Sequence, residues 1–365
     1  MKIILVAGAR PNFMKVAPLV RHLGKWDEDV VWQLVHTGQH YDYEMSKVFF
    51  DELEIPKPGY FLGAGSGSHA KQTAKIMLEF EKVCLKEKPD VVAVVGDVNS
   101  TLACSVTAKK LGIKVAHVEA GLRSRDMTMP EEINRIVTDA IADYLFVTEK
   151  SGVDNLKREG RNNRDIYFVG NVMIDTLYHQ LNKLETDNNS ENYKIDSIKG
   201  NPFAVVTLHR PSNVDERSTL KGILNALVLI SKDMPVVFPV HPRTNKNIEA
   251  FDLMELITDS DIKLLPPMPY IDFLKLWKDA SLVLTDSGGL QEETTALGIP
   301  CFTIRENTER PVTIEQGTNT LVGISKDGIL AAYKEFRNNG SKKGKVPKYW
   351  DGKAAQRIIA VLING

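Results

Sequence analysis

Short runs of valine, isoleucine and leucine alternate with helix-patterned segments along nearly the whole chain. In the first half such runs occur at Lys2–Ala7, Val91–Val95 and Tyr144–Val147. Strands that are apolar throughout are buried on both faces, which is typical of parallel sheets covered by helices. The alternation therefore predicts an α/β fold with parallel sheets.

A polar stretch at residues 184–201 interrupts this pattern, and the alternation then restarts, with one helix predicted over residues 244–257. Polar interruptions of this kind mark boundaries between domains. A chain of 365 residues is also longer than a single hydrophobic core usually supports. We predict an N-terminal Rossmann-like domain over residues 1–172, on which a C-terminal helix at 352–365 packs, and a second Rossmann-like domain over 173–351.

Composition and charge narrow the classes of function. The formal net charge is -1, so nothing suggests nucleic acid or an anionic membrane as a partner. The three cysteines, Cys84, Cys104 and Cys301, lack the spacing of a metal site. The apolar N-terminal run MKIILVAG is too short for a signal sequence or a membrane span. We expect a cytoplasmic protein with no metal site.

The most informative chemistry lies within residues 91–135. Asp97 and Glu119 each stand at the end of an apolar strand, and the helix predicted between them makes the two strands parallel. Both carboxylates then lie at the carboxyl edge of one sheet, where open α/β sheets bind their ligands. A further helix begins with a second acidic pair, Glu131 and Glu132.

Some of these residues have alternative interpretations. Asp97 could serve only as the cap of the following helix. Glu119 ends an apolar run, where an unpaired carboxylate is costly, so it requires a cation that Arg123 or Arg10 could supply. After the first strand, the segment GARPNFMK places Arg10 and Lys15 beside a helix start, and helix starts attract anions.

The second half offers cations and small residues at its strand ends. Cationic side chains follow two consecutive strands, namely His209, Arg210, His241 and Arg243. The segment TDSGGLQEE places Ser287, Gly288 and Gly289 at a helix start, where backbone N–H groups can bind a phosphate. Glu293 in that helix could either bind a ribose diol or lie on a solvated face. Phe273 could offer an aromatic face to a base.

Ten segments occur in an order that resembles the non-hydrolysing UDP-N-acetylglucosamine 2-epimerases over about residues 3–323. They are GARPNFMK, HTGQHYD, GDVNSTLA, HVEAGLRS, PEEINR, VGNVMIDTL, TLHRP, HPR, TDSGGLQEE and ENTERP. The resemblance implies a GT-B fold, in which two Rossmann-like domains with parallel sheets face a central cleft, and a homodimer. The domain over 173–351 is then the UDP-binding domain.

The resemblance implies reversible C2 epimerisation of UDP-N-acetylglucosamine to UDP-N-acetylmannosamine, for precursors of cell-surface polysaccharide. UDP is eliminated and re-added through a 2-acetamidoglucal intermediate, with no metal or other cofactor. The family's catalytic residues match Asp97, Glu119, Glu131 and His209. Its UDP-contacting positions match Arg10, Lys15, Arg243, Ser287, Gly288, Gly289, Glu293 and Arg310. Four further residues complete the predicted substrate-binding set, namely Arg123, Arg210, His241 and Phe273.

Two segments depart from the family pattern. HTGQHYDYEMSK and HRPSN stand where many bacterial members have a glutamine-rich segment and an HRRE-type motif that bind an activating second substrate molecule. The departure favours altered regulation or a modified UDP-N-acetylhexosamine substrate.

Three competing functions fit a nucleotide-sugar site of this kind. One is a hydrolysing epimerase that releases N-acetylmannosamine and UDP. The second is a GT-B glycosyltransferase, and the third is a non-catalytic UDP-sugar sensor. A glycosyltransferase usually needs one base and a sensor needs no acid or base, so the complete set of acids favours an epimerase over both.

Overall fold

The computed structural model describes residues 1–25, 30–38, 50–186, 198 and 200–364, without the side chain of Arg10. Most of the departing segment HTGQHYDYEMSK (36–47) and most of the polar stretch at 184–201 lie outside these residues. Contacts between Cα atoms divide the chain into two compact units. The first comprises Met1–His179 and Lys348–Gly365, and the second comprises Gln180–Pro347.

The first unit is built on a sheet of seven strands with helices between them. In chain order its elements are β1 (Lys2–Ala7), α1 (Arg10–Leu23), β2 (Val31–His36), β3 (Tyr60–Phe61), α2 (His69–Glu87), β4 (Val91–Val95), α3 (Asn99–Lys110), β5 (Lys114–Ala120), α4 (Pro130–Ile141), β6 (Tyr144–Val147), α5 (Lys150–Arg158), β7 (Ile166–Phe168) and α6 (Val172–Thr186). Helix α6 continues into the second unit.

The second unit is built on a sheet of six strands. Its elements are β8 (Ala204–Thr207), α7 (Pro211–Val214), α8 (Arg217–Ser231), β9 (Val236–Pro239), α9 (Pro242–Ala250), α10 (Met254–Thr258), β10 (Ile262–Leu265), α11 (Tyr270–Trp277), β11 (Leu282–Thr285), α12 (Gly288–Leu297), β12 (Cys301–Thr303), α13 (Pro311–Glu315), β13 (Asn319–Leu321) and α14 (Lys326–Asn339).

The chain returns to the first unit with a last helix, α15 (Ala354–Asn364), which packs on α1. Asp175 of α6 accepts hydrogen bonds from the N–H groups of Ala354 at 3.0 Å and Ala355 at 2.7 Å. The first N–H groups of a helix have no partner within the helix, so Asp175 caps α15. The indole of Trp350 donates to the carbonyl of Thr148 at 3.0 Å. These contacts anchor the C-terminal segment.

Each sheet reverses its strand order once. The first runs β3-β2-β1-β4-β5-β6-β7 and the second β10-β9-β8-β11-β12-β13, and the paired strands are parallel. The prediction of an α/β fold with two parallel sheets is confirmed. At such a reversal the connections on either side run to opposite faces, which opens a crevice beyond the carboxyl ends of the strands. The crevices lie at β1 and β4 in one unit, and at β8 and β11 in the other.

The two sheets have separate hydrophobic cores. Ile4 and Val94 belong to one core cluster with Phe80 of α2. Val206 and Leu284 belong to the other, which includes residues of α8. Apolar strands covered by helices on both faces explain the runs of consecutive apolar residues. Within the described ranges, no helix combines the length and the apolar character needed to cross a membrane.

Some predicted elements were wrong in detail. The helix expected over residues 244–257 is two helices, α9 and α10. Asp252 between them adopts a left-handed backbone conformation with a φ of 54°, which a continuous right-handed helix cannot contain. The sequence pattern also missed the strand β7 and the helices α5, α6 and α14.

Candidate active site

The first candidate site lies at the reversal between β1 and β4, where Asn12 links the two strand ends. Its Oδ1 atom accepts hydrogen bonds from the N–H groups of Gly8 at 3.1 Å and Ala9 at 3.0 Å. Its Nδ2 atom donates to the carbonyl of Val95 at 3.1 Å. The loop that carries Arg10 is thereby fixed to the end of β4. The side chain of Arg10 lies outside the described atoms, so its contact with UDP stays a prediction.

Asp97 follows β4 and is held by helix α4. Arg135 donates to the Asp97 carboxylate from Nε at 3.0 Å and from Nη2 at 2.7 Å, and Asn134 donates to the Asp97 carbonyl at 2.8 Å. The cap of α3 is Val98, so the alternative that Asp97 serves only as a helix cap is wrong. The Asp97 side chain is 23% exposed, which leaves room for a ligand to reach it.

Glu119 occupies a strained position within β5. Its φ is 77°, in the left-handed region that costs a non-glycine residue about 1–3 kcal/mol. The pairing of β5 with β6 shifts register between Val118 and Ala120, which is a bulge of the kind that redirects a side chain. The buried carboxylate pairs with the buried ammonium group of Lys15. The predicted cationic partner of Glu119 is thus present, but it is Lys15, which was not among the predicted candidates.

Arg123 is not the partner of Glu119, and that alternative is wrong. Its Nη1 atom lies 2.7 Å from Asp139, and its Nη2 atom lies 2.6 Å from Glu159. Burial lowers the pKa of the Arg123 guanidinium, but the Glu159 and Asp139 carboxylates raise it above its usual value. Arg123 thus neutralises internal carboxylates, and its contact with substrate stays a prediction.

The acidic pair at the start of α4 divides into a buried and an accessible member. Glu132 accepts hydrogen bonds from the N–H groups of Ser124 at 3.0 Å and Arg125 at 2.8 Å, and from Arg135 at 2.7 Å. Burial raises the pKa of Glu132, but these donors bring it below its usual value. Glu131 is half-buried and makes no hydrogen bond or ion pair with the described residues. It is therefore the member of the pair that a ligand can reach.

The Lys15–Glu119 pair gives a stability prediction. In the variant Lys15→Met, Glu119 stays buried without this cation, and we expect the free energy of unfolding to fall by about 3–5 kcal/mol. Urea unfolding followed by circular dichroism measures this loss. The double variant Lys15→Met, Glu119→Gln should recover most of it, because it also removes the buried negative charge that Lys15 neutralises. A double variant as unstable as the single one would contradict the pairing.

The second candidate site lies at the reversal between β8 and β11, and its centre is the buried residue Asp286. One carboxylate oxygen accepts from the N–H groups of His209 and Arg210, both at 2.9 Å, and from Asn213 at 3.1 Å. Burial raises the pKa of Asp286, but His209 and these backbone donors bring it below its usual value. Asp286 was not among the predicted site residues. Its position directly after a strand and before Ser287 is the sequence feature that could have indicated it.

His209 offers one ring nitrogen to a ligand. Its Nδ1 atom lies 2.7 Å from Asp286, so Nε2 is left to bind a ligand, and the side chain is 42% exposed. The rings of His209 and His241 have centroids 5.7 Å apart. The Nδ1 atom of His241 accepts from the N–H of Arg243 at 3.2 Å. The Arg243 side chain pairs with Asp215, with Nε at 2.8 Å from the carboxylate.

Helix α12 begins at Gly288, and its first N–H groups form a potential anion site. Ser287 precedes the helix, and its hydroxyl makes no capping hydrogen bond. Its N–H donates to the hydroxyl of Thr285 at 2.9 Å. A Cβ atom on Gly288 would lie 3.7 Å from a carboxylate oxygen of Glu309. Gly288 and Gly289 are both partly exposed at this helix start, and their contact with UDP stays a prediction.

Three arginines surround two carboxylates beside this helix start. Arg305 lies 2.8 Å from Glu309, Arg210 lies 3.6 Å from the same carboxylate, and Arg310 pairs with Glu292. Burial raises the pKa of Glu309, but the guanidinium groups of Arg310, Arg305 and Arg210 hold it well below its usual range. Asp286 also acts on Arg210, so the three arginines have Glu309, Glu292 and Asp286 as their counter-charges. Two of these arginines, Arg210 and Arg310, are predicted substrate contacts.

Glu293 is buried inside α12, so the alternative of a solvated face is wrong. Tyr270 donates a hydrogen bond to its carboxylate at 2.6 Å. Burial raises the pKa of Glu293 to about 8, against the opposite effect of the Tyr270 hydrogen bond. A carboxyl that keeps its proton near neutral pH can both donate to and accept from a ribose diol. Phe273 lies partly buried on the neighbouring α11, and its contact with a base stays a prediction.

The raised pKa of Glu293 predicts a pH dependence of stability. The pKa of Glu293 in the folded protein lies above the unfolded value of about 4.3. The contribution of Glu293 to the free energy of unfolding is therefore fully present below pH 4.3, and it is lost as the pH rises towards 8. The variant Glu293→Gln has no such proton to lose. Between pH 5 and pH 8 we expect the difference in unfolding free energy to move in favour of the variant by about 3–4 kcal/mol. Urea unfolding at both pH values measures it, and a constant difference would contradict the burial of an ionisable carboxyl.

The cysteines belong to the cores. Cys84, Cys104 and Cys301 are free and buried, and burial raises the pKa of Cys84 and of Cys301 to about 12. Thiols in such surroundings are poor nucleophiles. Among the described residues, no group of three or more His, Cys, Asp or Glu is arranged to hold a metal ion.

The fold and the two sites define an α/β protein with carboxylates at one sheet edge and an anion site at another. A family model described as UDP-N-acetylglucosamine 2-epimerase matches residues 24–363. The UDP-N-acetylglucosamine 2-epimerase of Methanocaldococcus jannaschii is 44% identical over 368 residues, which cover 100% of both chains. The chain therefore belongs to the UDP-N-acetylglucosamine 2-epimerase family, as the ordered segments predicted.

Two further comparisons refine this relationship. The UDP-2,3-diacetamido-2,3-dideoxy-D-glucuronate 2-epimerase of Pseudomonas aeruginosa is 39% identical over 366 residues, or 99% of each chain. The crystal structure of the Methanocaldococcus jannaschii UDP-GlcNAc 2-epimerase in complex with UDP-GlcNAc and UDP superimposes with a TM-score of 0.88 at 42% identity, covering 100% of both chains. The predicted GT-B fold is confirmed.

Proposed function

We propose that this protein is a non-hydrolysing UDP-N-acetylglucosamine 2-epimerase that interconverts UDP-N-acetylglucosamine and UDP-N-acetylmannosamine. The observation that carries the proposal is the pair of acids at the carboxyl ends of two adjacent strands. Asp97 has its own cation in Arg135, and Glu119 has its own in Lys15. A protein that only stores or senses a nucleotide sugar has no need for a strained, buried carboxylate at a sheet edge.

The reaction needs a base and an acid at C2 of the sugar. A carboxylate takes the C2 proton, the C2–H electron pair forms a double bond to C1, and the bond from C1 to the diphosphate oxygen breaks with its pair going to UDP. A second group then protonates C2 on the opposite face, and the UDP oxygen adds back to C1. Asp97, Glu119 and Glu131 supply these proton-transfer groups. Atoms and charges balance, because UDP leaves and returns.

The second unit binds and stabilises UDP, the leaving group of this reaction. Breaking the C1–O bond builds negative charge on the diphosphate, and preorganised donors stabilise such charge. The N–H groups at the start of α12 and the guanidinium groups of Arg210 and Arg310 meet this need. His209, whose Nδ1 atom lies 2.7 Å from Asp286, has Nε2 left to contact the diphosphate. Glu293 binds the ribose diol.

The test is incubation with UDP-N-acetylglucosamine in heavy water, followed by proton NMR. We expect the manno epimer with deuterium at C2, because the removed proton exchanges with solvent before C2 is reprotonated. Free N-acetylmannosamine with UDP as the products would indicate the hydrolysing reaction. Neither epimer nor exchange would contradict the proposed substrate.

Two variants serve as controls for the same experiment. Asp97→Asn and Glu119→Gln should lose at least about 100-fold in turnover, as expected when a proton-transfer group is removed. Their affinity for UDP should fall far less than their turnover, because most of the predicted UDP contacts lie in the second unit. Equal losses of turnover and UDP affinity would show that these acids hold the structure or the nucleotide instead.

A second candidate is epimerisation of a modified UDP-N-acetylhexosamine. The similarity to the Pseudomonas aeruginosa enzyme, at 39% identity over 99% of the chain, favours this candidate over unrelated reactions. Comparing turnover of the diacetamido uronate and of UDP-N-acetylglucosamine distinguishes the two substrates. The homodimer, the cytoplasmic location and the role in polysaccharide precursor synthesis are further parts of our proposal, and family resemblance is their support.

A further inference from the structure

The two proposed catalytic acids of the strand ends are flanked by glycines in the left-handed conformation. Gly96 precedes Asp97 and has a φ of 67°, and Gly121 follows Glu119 by two residues and has a φ of 81°. A Cβ atom on Gly121 would lie 2.4 Å from the carbonyl oxygen of Gly152, so only glycine fits there. The placement of both carboxylates thus depends on what holds these two peptide segments.

One buried pair of side chains holds both segments. The Nε2 atom of His117 lies 2.8 Å from the carbonyl of Gly96, and its Nδ1 atom lies 2.6 Å from Asp139. The other oxygen of Asp139 accepts from the N–H of Gly121 at 3.0 Å. His117 and Asp139 are 0% and 1% exposed. A single chain of hydrogen bonds therefore runs from Gly96 to Gly121.

The acceptors around His117 determine where its hydrogens lie. A carbonyl only accepts, so Nε2 must donate to Gly96. Burial raises the pKa of Asp139, but His117 and Arg123 bring it below its usual value. The Nδ1 atom of the ring faces this carboxylate, so the ring bridges Gly96 and Asp139. Arg123 in turn bridges Asp139 to Glu159.

Helix α4 connects this network to the other acids. Glu131, Arg135 and Asp139 follow one another at intervals of four residues, which places them along one face of the helix. Glu131 is itself a proposed catalytic acid, Arg135 holds Asp97, and Asp139 holds the segment after Glu119. One rigid helix thus sets the positions of three carboxylates.

We propose that Asp139 and His117 are positioning residues, which fix Asp97 and Glu119 relative to each other through Gly96 and Gly121. This inference rests on the proposed epimerase function. Neither residue touches the reacting atoms. Their effect is on geometry, to which proton transfer at C2 is sensitive, because displacement of a catalytic group by about 1 Å costs on the order of 100-fold in rate.

The variant Asp139→Asn tests the proposal. The asparagine amide has nearly the same shape as the aspartate side chain, and its oxygen can still accept a hydrogen bond from the N–H of Gly121. Toward His117, however, it presents an N–H donor or a weak carbonyl acceptor instead of a carboxylate. We expect kcat and C2 deuterium exchange to fall by about 100-fold, with KM and UDP affinity unchanged.

Asp143→Asn is the matched control. Asp143 lies at the opposite end of β5, where its carboxylate pairs with Lys109 at 2.8 Å and accepts from the N–H of Val115 at 2.7 Å. The variant therefore loses a partly exposed ion pair and a backbone contact to the same strand, away from the acids. We expect its kcat to stay within about twofold of wild type, in line with a change remote from the reacting groups. Parallel losses of kcat and stability in both variants would overturn the proposal, since they would indicate a merely structural role.

A pair of histidine variants keeps the proposal testable if Asp139→Asn does not fold. The amide of His117→Gln reaches the position of Nε2 and can donate to Gly96, whereas the shorter side chain of His117→Asn reaches only Asp139. We expect the glutamine variant to keep at least about tenfold more kcat than the asparagine variant, because only it holds the Gly96 segment. Equal activities would overturn the proposal. Inactive wild-type protein would instead refute the proposed function.

Discussion

The reversal of strand order in each sheet is the constraint on which both sites depend. At β1 and β4, and again at β8 and β11, the connections leave to opposite faces and expose the carboxyl ends of the strands. Backbone N–H and C=O groups at such a crevice lack the inter-strand hydrogen bonds that they make within the sheet. In the first unit Asn12 ties the two strand ends together, and in the second Asp286 does so. The crevices are therefore rigid as well as open, which suits groups that must act at fixed positions.

Buried charge is the second theme of the structure. A lone buried carboxylate costs several kcal/mol, and the buried carboxylates near the sites have a cation or several N–H donors, except Glu293, whose pKa is raised to about 8. Lys15 pairs with Glu119, and Arg135 pairs with both Asp97 and Glu132. In the second unit Arg310 pairs with Glu292 and Arg305 pairs with Glu309. Ion pairs of this kind are weak evidence for stability, because desolvation offsets most of the attraction. Their value here lies in holding carboxylates at defined positions.

The sequence predicted the fold class and the strand-end residues because these depend on local patterns. Apolar runs that alternate with helical spacing identify parallel strands. The acidic residues that follow these strands can be read directly from the sequence. The pairing of Lys15 with Glu119 was not predictable, because the two residues are far apart in the chain and meet only through the order of β1, β4 and β5. Asp286 was missed because an aspartate before a Ser-Gly-Gly turn looks like an ordinary turn residue. The left-handed Glu119 gives no sequence signal at all, since its conformation follows from the bulge.

The central claim is that the bond between C1 and the diphosphate oxygen breaks while the sugar and UDP stay bound. The most direct test uses UDP-N-acetylglucosamine with a heavy-oxygen label in the atom that bridges C1 and the β-phosphorus, followed by phosphorus NMR. If UDP leaves and re-adds, the label moves from the bridge into the non-bridging oxygens of the β-phosphate as the epimers interconvert. Epimerisation with the label retained in the bridge would mean that the C1–O bond never breaks, and it would contradict the elimination proposed for the two sites.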